Sequence, residues 1–235
     1  MTTAARITTV GFDADDTLWH NETLFRLTQE RFRALMADLA EPQALDAKLA
    51  EVERRNLALY GYGVKGFTLS MIETAMEVTG GEAPSRVIGE ILAAGREMLA
   101  HPVEPLPGVQ AALADLASDY RLVLITKGDL LHQEQKLAAS GLGDLFAAVE
   151  IVSEKDASTY ERVFARDGDG AARAAMVGNS LRSDVIPALE AGAYAAHVPY
   201  HITWAHEIAD PPVGHPRFAE LQSLAELPAW VRALS

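Results

Sequence analysis

The sequence predicts an α/β fold in which a parallel β-sheet is flanked by helices and a small α-helical domain is inserted. Short apolar runs alternate with helical stretches over most of the 235 residues, and this alternation is typical of parallel strands joined by helices. Residues 20–100 instead show helical periodicity without a good strand. Hydrophobic residues make up 49% of the chain, which is enough to bury a sizeable core.

Five apolar runs have the length and composition of buried strands. They cover residues 7–12, 121–126, 147–152, 174–177 and 194–198. Ligands bind such sheets beyond the carboxyl ends of the strands. Asp13, Thr126 and Asn179 each lie at or just past such an end, so we expect them to converge although they are far apart along the chain.

The inserted stretch contains four predicted helices. In the first, apolar residues between Leu24 and Leu39 follow the three-and-four spacing of an amphipathic helix. The others are predicted over residues 43–59, 68–78 and 85–100. Closely spaced prolines after residue 101 mark the return to the sheet. We therefore expect a core domain of residues 1–18 and 102–235 and a helical domain of residues 19–101.

The charge and composition exclude several functions. A net charge of −13 argues against binding to nucleic acid and to anionic membrane surfaces. The absence of cysteine excludes disulfides, thiolate catalysis and cysteine-based zinc sites. We find no signal peptide and no apolar run of about 18 residues that would span a membrane. The expectation is a soluble, cytoplasmic protein.

Three aspartates in the stretch DADDT, residues 13–17, follow the first strand directly. If the chain stays extended, alternation puts Asp13 and Asp15 on one side and Asp16 on the other. Two carboxylates on one side suit a nucleophile and a general acid and base, and a divalent cation would keep the nucleophile ionised. The structural alternative is an acidic turn, and we assign Asp16 and Thr17 to such a role.

Two later stretches contain candidate phosphate-binding groups. Thr126 ends the second strand and is followed by Lys127 and Gly128, and a hydroxyl with free backbone N–H groups can hold a phosphate. A lone lysine such as Lys127 more often points to solvent. Lys155 follows the third strand and can stabilise charge on the nucleophile and on a phosphoryl oxygen, with a surface lysine as the alternative.

Candidate metal ligands follow the fourth strand. The amide oxygen of Asn179 can ligate a cation, and Asp184 can either contribute to a metal site or cap the next helix. His197, His201 and His206 suggest a zinc site, but their spacing is loose and no carboxylate pattern completes it. We interpret them as loop or packing histidines.

Taken in order, these motifs resemble those of the haloacid dehalogenase-like superfamily of hydrolases. The pattern there is an apolar strand with D-x-D-x-T, a strand ending in Thr or Ser, a lysine, and an acidic loop of the type G-D-x-x-x-x-D. The matching stretches here are DADDT, LVLIT ending at Thr126, Lys155, and GNSLRSD at residues 178–184. The resemblance covers the whole chain and implies a Rossmann-like core with a helical cap of residues 19–101.

The resemblance also implies roles for individual residues. Asp13 would attack phosphorus, and Asp15 would protonate the leaving alcohol and then activate water. Thr126 would bind phosphoryl oxygens and Lys155 would stabilise the anionic site. The implied cofactor, Mg²⁺, would be held by Asp13, the Asp15 carbonyl, Asn179 and Asp184. The family usually has an acid in place of Asn179, so we predict a weaker magnesium site in which Asn179 ligates through oxygen or Asp184 takes more of the role.

The expected function is Mg²⁺-dependent hydrolysis of a small phosphorylated metabolite. A phosphomutase would use the same intermediate, a dehalogenase of the superfamily would not need Asp15, and a non-catalytic phosphate-binding module would not need a nucleophile. In the glycine-rich stretch YGYGVKGF, residues 60–67, Tyr62 and Lys65 are candidate substrate contacts, with a plain interhelical turn as the alternative. The sequence leaves a homodimer open.

Overall fold

The structure is a computed structural model that describes residues 6–234. The chain forms two compact units. Unit 1 comprises the described residues up to Glu22 together with Val103–Lys127 and the chain from Gln133 onwards, and unit 2 comprises Thr23–Pro102 and Gly128–His132. The domain boundaries inferred from the sequence, and the role of residues 19–101 as a cap, stay predictions.

Unit 1 contains a six-stranded sheet. Its strands are β1 (Thr9–Phe12), β2 (Arg121–Lys127), β3 (Ala148–Val152), β4 (Ala174–Gly178), β5 (Tyr194–His197) and β6 (Phe218–Glu220). Every neighbouring pair is parallel, and the strand order is β3-β2-β1-β4-β5-β6. The five predicted strands are confirmed to within two residues at either end. The edge strand β6 was not predicted, because its three residues are too few for a periodic signal.

The α-helices connect the strands or form unit 2, except for the last one, which follows the final strand. Within residues 6–234 they are α1 (Glu22–Leu35), α2 (Pro42–Tyr60), α3 (Val64–Val78), α4 (Ser85–Leu99), α5 (Val109–Ala117), α6 (Leu130–Ser140), α7 (Ala157–Asp167), α8 (Ile186–Glu190) and α9 (Leu227–Ala233). The helix α3 begins four residues before the predicted start, directly after a turn at Gly63, whose φ is +103°. No helix in this part of the chain combines the length and apolarity that crossing a bilayer requires.

The sheet is buried on both faces, as the predicted fold class requires. In β2, Leu122 and Leu124 pack into one apolar cluster with residues of α5 and α9, whereas Val123 and Ile125 pack into another with residues of α7. Because successive side chains of a strand point to opposite faces and both faces are buried here, the sequence of β2 contains a continuous apolar run. The parallel α/β fold is thereby confirmed.

Unit 2 has a separate apolar core. Its centre is formed by residues from all four helices, including Phe32, Leu49, Met71 and Ile91. The helices α3 and α4 approach closely at Gly95, where an added Cβ would lie 2.4 Å from Thr68 Oγ1. The helical insertion therefore buries its own apolar residues.

Glu53 on α2 gives unit 2 a pH-dependent stability. The side chain is half-buried, and burial raises the pKa of Glu53 to about 7. A folded-state pKa above the unfolded one means that the stability contributed by this group is complete below the unfolded pKa and is lost as the pH rises through about 7. We expect Glu53→Gln to raise the free energy of unfolding by roughly 1–2 kcal/mol at pH 8.5 and to leave it unchanged at pH 4.

Urea unfolding at the two pH values measures this difference. The exposed Glu82, also in unit 2, offers a matched control, and Glu82→Gln should leave the free energy of unfolding unchanged at both pH values. An equal effect of Glu53→Gln at pH 4 and pH 8.5 would contradict the prediction.

Candidate active site

The central strand β1 brings the candidate residues to one edge of the sheet. Phe12 is in register with Leu124 of β2 and with Val177 of β4. The N–H of Asp13 donates to the carbonyl of Val177 at 2.9 Å, so the ladder continues one residue past the strand. The ends of β1, β2 and β4 therefore share the carboxyl edge, where ligands bind in such sheets.

Asp13 is held in a buried ion-pair network. It is 7% exposed, forms an ion pair with Lys155, and accepts a hydrogen bond from Thr17 Oγ1 at 3.0 Å. Lys155 is 5% exposed and also contacts Asp184 Oδ1 at 2.7 Å. The alternative of a surface lysine at this position is wrong, because Lys155 lies between two buried carboxylates.

Burial and ion pairing shift the pKa values of Asp13 and Lys155. Burial raises the pKa of Asp13 to about 7, against the opposing effect of Lys155. Burial would lower the pKa of Lys155, but its two carboxylate partners outweigh that effect and raise it. A lysine ammonium between two carboxylates leaves one negative charge when both are ionised, and a cation could offset that charge.

The Asn179 amide faces oxygen atoms that suit a hard cation. With its nitrogen turned inwards, the amide donates to Asp13 Oδ2 at 3.3 Å, to the Asp15 carbonyl at 3.2 Å and to Thr17 Oγ1 at 3.2 Å. Rotation of the amide would present its oxygen beside the Asp13 carboxylate and the Asp15 carbonyl. Three oxygen donors of this kind fit Mg²⁺.

Asp184 is bound through both of its oxygens. Oδ1 contacts Lys155, and Oδ2 accepts the N–H of Ser180 at 2.9 Å. Among residues 6–234, no group of three or more His, Asp or Glu side chains is arranged to hold a metal ion. The ring of His197 contacts other groups: its Nε2 lies 3.0 Å from the backbone carbonyl oxygen of Asn179, and its Nδ1 lies 3.5 Å from Glu220 Oε2.

Asp15 has different neighbours from Asp13. Its Oδ1 accepts hydrogen bonds from Trp19 Nε1 at 2.7 Å and Lys136 Nζ at 2.5 Å, and its Oδ2 accepts one from Gln133 Nε2 at 3.2 Å. Sequence reasoning missed Gln133 and Lys136. They are three residues apart on the same side of α6, and this spacing after the strand that ends in Thr126 is the signal that could have identified them.

The turn after Asp15 is structural. Asp16 has a left-handed φ of +62°, so the chain does not stay extended. Its carboxylate accepts the N–H groups of Asn21 at 2.9 Å and Glu22 at 3.0 Å, which caps the start of α1. Thr17 Oγ1 accepts the N–H of Asn179 at 3.0 Å. The structural roles predicted for Asp16 and Thr17 are confirmed.

Lys127 does not point to solvent, so that prediction is wrong. Its ammonium forms an ion pair with Glu207 at 2.8 Å and donates to Ser183 Oγ at 2.8 Å. Glu207 also accepts hydrogen bonds from Ser180 and from Ser183. Burial acts to raise the pKa of Glu207, but the Lys127 charge holds it below its usual range. The partner is 80 residues away along the chain, which is why a lone lysine was indistinguishable from a solvated one.

Two other candidate substrate contacts belong to unit 2. Lys65 lies in the first turn of α3, after a short interhelical turn, and its ammonium contacts both oxygens of Asp129 at 2.9 Å. Gly128 precedes this aspartate and has a φ of +140°. Substrate contact by Lys65, Lys127 or Gly128 stays a prediction.

A glycine at the end of β4 makes room for the Asp184 carboxylate. A Cβ at Gly178 would lie 2.1 Å from Asp184 Oδ2. We expect Gly178→Ala to displace this carboxylate from Lys155 and from Ser180, and to lower the free energy of unfolding by about 2–3 kcal/mol, measured by urea unfolding.

Gly89 on α4 provides the control for this substitution. An added Cβ there meets no atom within 4 Å, so Gly89→Ala should raise the free energy of unfolding by roughly 0.5–1 kcal/mol through helix propensity. Unchanged stability of Gly178→Ala would show that the loop at Asp184 can move without cost.

Comparison with known proteins agrees with this arrangement. The haloacid dehalogenase-like hydrolase family matches residues 7–192. A glyceraldehyde 3-phosphate phosphatase from Methanothermobacter thermautotrophicus is 27% identical over 203 residues, which are 83% of this chain and 87% of the relative.

Solved structures show the same fold. A haloacid dehalogenase-like family hydrolase from Xanthomonas campestris is 47% identical, with a TM-score of 0.87 over 100% of this chain and 96% of that one. A 2-haloacid dehalogenase from Pseudomonas syringae pv. Tomato is 24% identical, with a TM-score of 0.63 over 97% of this chain and 100% of that one, and this likeness concerns the fold alone. The match over residues 7–192 is decisive, and the chain belongs to the haloacid dehalogenase-like hydrolase family.

Proposed function

We propose that this hydrolase is a Mg²⁺-dependent phosphatase that releases phosphate from a small phosphorylated metabolite through Asp13. The observation that carries the proposal is the contrast between two nearby carboxylates. Asp13 is buried against Lys155, whereas Asp15 is partly exposed and hydrogen-bonded to Gln133 and Lys136. Carboxylates in such different surroundings suit a nucleophile and a separate acid–base group.

The proposed reaction has two steps. Asp13 forms a bond to phosphorus while the bond from phosphorus to the leaving oxygen breaks, and Asp15 delivers a proton to that oxygen. Water then attacks phosphorus and gives its proton to Asp15 as the bond to Asp13 breaks, which restores the enzyme. Lys155 offsets the charge beside the nucleophile, and the Thr126 hydroxyl binds phosphoryl oxygens.

Mg²⁺ is the proposed cofactor. The oxygens of Asp13, the Asp15 carbonyl and Asn179 would hold it, and Asp184 would act through Lys155 and Ser180 or through a water molecule. When bound, the cation would offset negative charge on the phosphate and the nucleophile. Because Asn179 is neutral, we propose that the site binds Mg²⁺ more weakly than one with a carboxylate there.

Two considerations favour a phosphatase over the other reactions of the superfamily. A halide leaves without a proton, so a dehalogenase has no use for Asp15, and one relative is named as a glyceraldehyde 3-phosphate phosphatase.

We further propose that residues 19–101 act as the cap that selects the substrate and that Lys65, Lys127 and Gly128 contribute to substrate binding. The proposed location of the protein is the cytoplasm.

A substrate screen tests the proposal. The chain is assayed against a panel of phosphorylated metabolites, p-nitrophenyl phosphate and 2-chloropropionate, with Mg²⁺ and after exhaustive chelation. We expect phosphate release that requires the metal. Full activity after chelation would overturn the cofactor, halide release without phosphate release would indicate a dehalogenase, and transfer without net phosphate release would indicate a phosphomutase. Tight phosphate binding without turnover would indicate a regulatory module.

A further inference from the structure

We infer that Gln133 and Lys136 of α6 are positioning residues that direct the Asp15 carboxylate toward the leaving oxygen. This inference rests on the proposed function, because it concerns the residue that would deliver the proton. The two side chains and Asp15 all belong to unit 1.

The contacts fix both oxygens of Asp15. Lys136 and Trp19 bind Oδ1 from two directions, at 2.5 Å and 2.7 Å, and Gln133 binds Oδ2 at 3.2 Å. The Asp15 side chain is 25% exposed, whereas the Lys136 side chain is only 11% exposed. A partly exposed carboxylate would otherwise sample several rotamers, so three donors, all in buried or nearly buried side chains, restrict its direction.

Gln133 also links the proton donor to the phosphate-binding group. Its Nε2 lies 2.7 Å from Thr126 Oγ1, 2.9 Å from the Lys127 carbonyl and 3.2 Å from Asp15 Oδ2, so its two N–H groups are shared among these three acceptors. Gln133 is 3% exposed and Thr126 is 1% exposed, so the link lies in the interior. One buried amide therefore connects the Asp15 carboxylate with the Thr126 hydroxyl.

The α6 donors act on one carboxylate of the pair. Asp13 is bound by Lys155 and Thr17, whereas the contacts of Gln133 and Lys136 in this region go to Asp15 and its neighbours. Removal of Lys136 should therefore impair proton delivery more than nucleophilic attack. A misplacement of about 1 Å at a reacting group can cost on the order of 100-fold in rate.

Leaving groups of different basicity separate these two effects. An alkoxide needs a proton as its bond to phosphorus breaks, whereas p-nitrophenolate leaves without one. The parameter kcat/KM reports the first step for both. We expect Lys136→Met to lower kcat/KM by roughly 10–100-fold for an alkyl phosphate that the wild type hydrolyses, but by less than about 3-fold for p-nitrophenyl phosphate.

Further variants complete the test. Lys136→Arg keeps a charged donor and should recover most of the alkyl phosphate activity. Gln133→Met should show the same selectivity as Lys136→Met, together with a higher KM for both substrates because Thr126 loses its donor. Gln135→Met, at an exposed position of the same helix, is the control and should leave both values unchanged. If Lys136→Met fails to fold by circular dichroism, Lys136→Gln replaces it.

The outcomes separate the inference from the proposed function. Equal losses on both substrates, or no loss on either, would overturn the positioning role while leaving a phosphatase in place. A wild-type protein that hydrolyses neither phosphoester would overturn the proposed function itself.

Discussion

Replacement of Asp13 by asparagine should reduce phosphate release by at least about 10³-fold at saturating substrate. The amide has nearly the shape of the carboxylate but is not a nucleophile toward phosphorus. Lys155 keeps Asp184 as a partner at 2.7 Å, so the surrounding network should persist. The assay is phosphate release from the best substrate of the panel, with Asp210→Asn as an exposed control.

The same variant should be more stable than the wild type in the absence of added Mg²⁺. Burial raises the pKa of Asp13 to about 7, so the stability contributed by this group is complete below the unfolded pKa and is lost as the pH rises through about 7. Asparagine is neutral throughout, so the free energy of unfolding of the variant should exceed that of the wild type at pH 8 and equal it at pH 4.

The activity of the variant tests the role of the carboxylate. Retention of more than about a tenth of the wild-type phosphate release by Asp13→Asn would exclude Asp13 as the nucleophile.

Replacement of Lys155 by methionine should produce the largest loss of stability. Asp13 and Asp184 would face each other in the interior without a counter-charge, and removal of one partner from a buried ion pair typically costs about 3–5 kcal/mol. We expect a loss of this size at pH 8, measured by urea unfolding of the metal-free protein. Phosphatase activity should fall to background, because the Asp13 carboxylate loses the Lys155 ammonium beside it.

The loss should depend on pH and on the partner. Without Lys155 the pKa of Asp13 would rise further, so protonation would relieve the repulsion and the variant should recover stability at pH 5. The double variant Lys155→Met/Asp13→Asn should be more stable at pH 8 than Lys155→Met alone. Strictly additive effects, or a loss that is the same at both pH values, would show that the network is not the cause.

The strands and the order of the motifs were predictable because they are local properties. Each of β1 to β5 is an apolar run that can be recognised from a few consecutive residues. The positions of Asp13, Thr126 and Lys155 at strand ends follow from those runs. The short strand β6 and the early start of α3 were missed, since the first exists only by pairing with β5 and the second follows a turn at Gly63.

The electrostatic partners were not predictable in the same way. Lys127 was expected in solvent and is bound to Glu207. The residues around Lys155, taken alone, favoured a surface lysine, whereas it lies between Asp13 and Asp184. In each case the partner is 29 to 142 residues away along the chain. A charged side chain has the same local sequence signature whether it meets water or a distant carboxylate.

The sequence by itself determined the fold class and the family and indicated the candidate site residues, because periodicity and motif spacing can be recognised within short segments. Only the tertiary structure decided how the two carboxylates differ, with Asp13 buried against Lys155 and Asp15 held by α6. The reason is physical: the pairing of parallel strands brings distant segments together at one edge, and burial and ion pairing there depend on neighbours in space.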